Sequence, residues 1–179
     1  MIKDFSVTPK PKNKKALLLM CSFFALAIAS VIVAIFIEKY KGVVGMITLA
    51  ALTTAILVYT KYVAVTFHYD IVGEGIDEPL FVVRQTVGKK NVTLSRISLA
   101  DITSVKLETA KERRAHKSAS GVARYVYTPT LSPSESYRIS VSSRYEKAEL
   151  IVEITEPFAE ALLSMSEEAR MLRAESEDE

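Results

Sequence analysis

Charged side chains gather in one stretch of this sequence. Between residues 106 and 124 stand Lys106, Lys111, Arg113, Arg114, Lys117 and Arg124, against only Glu108 and Glu112, with His116, Ser118 and Ser120 among them. Such a run attracts anions. Beside an anionic leaflet each basic side chain contributes about 1 kcal/mol, weakened by salt. Lys111, Arg113, Arg114 and Lys117 form the tightest group and are the candidate residues for binding an anionic surface, lipid headgroups or an acidic protein segment. With no pocket inferred around them, they are expected to bind by charge rather than by selecting one headgroup. The plainer alternative is a solvated, mobile loop. Nucleic acid fits poorly, since the run is short and carries no recognition motif.

Other reactive residues are sparse. His68 and Asp70 alternate onto one strand face and could pair as acid and base, but no nucleophile motif accompanies them, so the expectation is a protein without catalytic activity. Cys21 is the only cysteine, which excludes an intramolecular disulfide and a cysteine-rich zinc site. His68 and His116 are the only histidines and show no metal-ligand spacing, so neither a metal nor a cofactor is expected. Tyr125, Tyr127 and Tyr137 lie on predicted strands, where they either pack against a helix or line a peptide groove.

The elements that carry these residues follow from hydropathy. Residues 16–37 and 43–60 are two uncharged apolar runs, and about 20 such residues span a bilayer as a helix. The connection, residues 38–42, is too short to hold a domain, so the helices are antiparallel neighbours. A cleaved signal peptide is the alternative for the first run, but its length and the second run argue against it. Cys21, Ala25 and Ala29 on the first helix and Gly45, Ala51 and Ala55 on the second offer small surfaces for close packing. Lys3, Lys10, Lys12, Lys14 and Lys15 precede the hairpin, whereas its short loop carries Lys39 and Lys41. The lysine bias places residues 1–15 and everything after the hairpin in the cytoplasm, with the protein integral to the cell membrane.

Beyond residue 62 the period becomes alternating. Val63, Val65, Phe67, Tyr69 and Ile71 share one strand face. Residues 73–79 read as a turn, 80–86 and 91–97 as a hairpin, 98–102 as a single helical turn, and 104–109, 125–128, 136–143 and 148–154 as further strands. Thr155 suits a helix N-cap, followed by Phe158, Leu162, Met165, Ala169 and Leu172 along one face. The predicted organisation is therefore a basic segment (1–15), a transmembrane α-helical hairpin (16–62), an α+β domain of antiparallel β-sheet or partly open barrel closed by a C-terminal helix (63–173), and a frayed acidic tail (174–179).

The two-helix hairpin, the stretch Arg96-Ile-Ser-Leu-Ala-Asp-Ile-Thr-Ser-Val105 and the terminal helix after Thr155 give this chain its likeness to a known group. It resembles the bacterial two-transmembrane-helix membrane proteins with a cytoplasmic pleckstrin-homology-like domain. The resemblance is architectural and implies a cytoplasmic module beside the membrane; it does not imply phosphoinositide binding. Two departures are the lack of tryptophan and the long connection over residues 109–123. The expected role is a membrane-tethered interaction module, monomeric or oligomeric, that is integral to the lipid bilayer and engages anionic lipid headgroups or a protein partner. The rival is a small subunit of a transport or channel assembly.

Overall fold

The computed structural model describes residues 5–9, 13–36, 40–73, 78–116, 120–143 and 146–177. It divides into two units, Pro11–Val65 and Met1–Lys10 with Thr66–Glu179.

The first unit is the helical hairpin. Helix α1 (Lys14–Phe36) and the span Lys41–Val63 that begins with α2 (Lys41–Val58) are both long and apolar enough to cross a membrane. A π-helical turn, Tyr59–Val63, carries α2 past the point where its apolar run was expected to end. The contact seam follows residues 16, 20, 23, 27, 30 and 34 on α1 and 44, 48, 51, 55 and 58 on α2. These alternating steps of four and three are the spacing that keeps a seam facing its partner. Across it Ser30 Oγ and Thr48 Oγ1 lie 2.8 Å apart.

Ala51 and Ala55 are buried as expected, but Cys21, Ala25, Ala29 and Gly45 are exposed. A strict four-residue step advances about 40° around the helix each time, so the expected stripe on α1 leaves the seam.

The second unit holds two four-stranded sheets. Strands β1 (Phe5–Val7), β2 (Val65–Val72), β3 (Leu80–Val87) and β4 (Lys90–Ser98) are ordered β1-β2-β3-β4. Strands β5 (Ile102–Thr109), β6 (Val122–Tyr127), β7 (Glu135–Ser142) and β8 (Lys147–Val152) are ordered β5-β7-β8-β6. The expected alternation holds from Val65, with Val65, Phe67, Tyr69 and Ile71 all buried, whereas Val63 belongs to the π-helical turn and not to the strand. Gly88, at φ +60°, closes the tight turn between β3 and β4. A single 3-10 turn, Leu99–Asp101, links the sheets, with the Ser98 hydroxyl accepting from the Ala100 amide.

Three features were not anticipated. Strand β1 comes from the basic N-terminal segment and pairs antiparallel with β2, Phe5 opposite Ile71. Strand β6 runs parallel to β8, an exception in an otherwise antiparallel sheet. Part of the presumed loop after Thr109 is a helix, α3 (Ala110–Ala115).

Helix α4 (Glu156–Glu177) closes the order. Thr155 stands at its start, its carbonyl accepting from the Ala159 amide at 3.0 Å. Phe158, Leu162, Ser166 and Ala169 are buried, and the Phe158 ring lies 5.4 Å from Phe5 and 6.4 Å from Phe81. Leu172, expected inside, is exposed; Arg173 takes the inward position. The helix runs to Glu177, past its expected end at residue 173.

Candidate functional site

Helix α3 starts because its first turn is capped. The Thr109 hydroxyl accepts from the Glu112 amide, and the Glu112 carboxylate accepts from the Thr109 amide at 2.8 Å. This reciprocal arrangement satisfies two amides that would otherwise lack partners. It also holds the Glu112 carboxyl below its ordinary range.

The six-residue helix sorts the candidate cations. Lys111 and Arg114 are exposed. Arg113 turns inward, donating to Ser136 Oγ and to the Pro133 carbonyl at 2.7 Å. Burial lowers its pKa, an effect that the Glu108 charge opposes. Arg113 therefore anchors the helix, with two of its donors already engaged. Lys117 lies outside the described residues.

Under α3 lies one face of the second sheet. Strand registers set Lys106 opposite Arg138, Ser140 opposite Glu149, and Arg124 opposite Glu149. Arg138 bridges to buried Glu108 at 2.9 Å and reaches Glu149 at 3.7 Å. His116, at the end of α3, places Nε2 3.0 Å from Glu149 and also contacts Arg138. Glu108 Oε2 is buried without a hydrogen-bond partner among the described residues. These internal charges hold the platform together, while Lys106, Lys111, Arg114, Arg124 and Lys147 are exposed around it. Exposed Val126 lies on the same face, beside Ile151.

Lys147 was missed by sequence reasoning. It was readable from the alternation of β8, where Lys147 and Glu149 alternate with the inward Ala148 and Leu150.

The remaining candidates separate. His68 Nδ1 lies 2.8 Å from Thr8 Oγ1, whereas Asp70 pairs with Arg84 at 2.9 Å. The two thus have different partners and form no acid–base pair. Tyr137 lies toward α4, where burial and then Glu156, Glu135 and Glu160 raise its phenol pKa. Tyr125 and Tyr127 stack on each other, centroids 6.1 Å apart and planes 6° apart, on the sheet face opposite Arg124.

No family model and no curated protein matches the chain.

Proposed function

We propose that the chain is an integral cell-membrane protein whose hairpin tethers a pleckstrin-homology-like, non-catalytic interaction module at the cytoplasmic leaflet. The observation that carries this reading is the pair of antiparallel apolar helices, placed in sequence between two strands that pair with each other. Two largely antiparallel sheets, a linking turn and a terminal helix support the domain assignment. The exposed cations around α3 are its contact with anionic lipid. A tethered domain has a high effective concentration at the leaflet, so weak charge contacts suffice to orient it.

The rival reading, a small subunit of a transport or channel assembly, would have the threonine-rich second membrane helix line an interface. Thr53, Thr54 and Thr60 donate to carbonyls of their own helix at 2.8–2.9 Å, and Thr48 meets Ser30 within the hairpin. These hydroxyls do not call for a further helix.

The test uses the full chain, with Cys21 replaced, in nanodiscs of neutral or anionic lipid. A polarity-sensitive dye is attached at exposed position Ser120 through a cysteine. The expected result is a blue shift only with anionic lipid, reversed by salt and by Lys111→Gln with Arg114→Gln. Equal emission in both lipids would remove the lipid-contact part of the proposal.

A further inference from the structure

The second unit contains an open cleft of about 340 Å³ on the sheet face away from α3. One wall is formed by four consecutive residues of β4: Leu94, Ser95, Arg96 and Ile97. Successive side chains of a strand point to opposite faces, so four in a row line one cleft only along the strand's edge. Strand β4 is the last of its sheet, and among the described residues that edge has no neighbouring strand in it. The ladder to β3 also slips here, after Val83, which leaves Leu94 out of register.

Facing this edge are stacked Tyr125 and Tyr127, above buried Leu150. The Tyr125 hydroxyl donates to Glu146 at 3.2 Å, and Glu146 is exposed. Asp101, which also lines the cleft, is already neutralised by Arg173 at 2.7 Å. An aromatic pair beside a carboxylate is an environment for a cation. Arg96, the other charge in the wall, sets a complementary demand for an acidic residue.

We infer that this cleft is a docking site for an extended segment of a partner protein, which adds as a strand to β4 and lays an arginine or lysine side chain on the Tyr125–Tyr127 pair beside Glu146. Main-chain hydrogen bonds to the open edge supply affinity, and the side chain turned inward supplies selectivity. An acidic residue at a neighbouring position of the segment pairs with Arg96. This deepens the interaction-module reading, since it names the partner's chemistry. It uses the face opposite α3, so lipid contact and peptide docking are separable.

The probe is a set of fluorescein-labelled peptides of alternating valine and threonine, with arginine, norleucine or glutamate at one central inward position. They are titrated against the full chain in nanodiscs, and amide hydrogen exchange is followed. The arginine peptide is expected to bind about tenfold more tightly than the glutamate peptide. It should slow exchange at residues 94–97. Glu146→Gln and Tyr125→Ala, both at exposed positions, should each cut the preference to about threefold. Neither should change the signal of the Ser120 dye. Equal affinity for the three peptides, no binding, or protection that falls elsewhere than β4 would overturn the inference. If those results come with an intact lipid response, the docking site alone fails; if the lipid response is also absent, the module reading fails with it.

Discussion

Arg173 donates to the Asp101 carboxylate at 2.7 Å, which ties the end of α4 to the turn between β4 and β5. The same guanidinium reaches Ser98 Oγ at 2.9 Å and contacts Glu78. The Ser98 hydroxyl, donating at 2.6 Å, and then Arg173 hold the Glu78 carboxyl below its ordinary value of 4.5. A carboxyl with a lower pKa when folded contributes stability above its unfolded pKa and loses it as pH falls through the folded one. Stability should therefore decline below about pH 4.5, more steeply in the wild type than in Glu78→Gln. Thermal unfolding across a pH series checks this. Glu78 is half exposed, so the difference in slope is small.

Leu162 is fully buried on α4. Leu162→Ala removes its methyl groups from a packed core and should cost about 2–5 kcal/mol. Hydrogen exchange of the most protected β8 amides, in the full chain, reads that loss. A change well under about 1 kcal/mol would show that α4 is not docked as described.

Arg113→Gln and Lys111→Gln should differ although the residues are two apart. The first leaves buried Ser136 and the Pro133 carbonyl without their donor and should cost about 1–3 kcal/mol. The second changes an exposed side chain and should stay within about 0.5 kcal/mol. Only the second should weaken contact with anionic nanodiscs without destabilising the fold, as read by exchange and by the Ser120 dye.

The proposed topology puts Ser6 and Ser164 on one side of the membrane and Gly42 on the other. Single cysteines at these positions, in a Cys21→Ala background, should react with an impermeant maleimide in intact cells only at position 42. Gly42 has open space around it and tolerates the change. Labelling at position 6 or 164 would reverse the assignment.

Much of this was legible in the sequence where a periodic signal was long. The two apolar runs and the alternation through Ile71 depend on local composition and appear directly as helices and a strand. Strand β1 could not be read, because three residues carry no period and owe their conformation to β2 and Phe158. The parallel β6–β8 pairing is likewise set by tertiary structure. Helix α3 did have a local signal, the Thr-x-x-Glu spacing of Thr109 and Glu112, but the basic run after it reads as a solvated loop. The inward turn of Arg113 was beyond reach, since it depends on where β7 places Ser136.

The pairing of Phe5 with Ile71 also bears on biosynthesis. Strand β1 leaves the ribosome before the hairpin and has no strand to join until β2 follows. If the hairpin were inserted with its ends on opposite sides, an apolar layer of about 30 Å would separate the two strands. The first sheet would then lack its outer strand, and Phe158 one of its ring neighbours. The pairing of β1 with β2 thus requires both ends of the hairpin to lie on one side of any layer that it crosses.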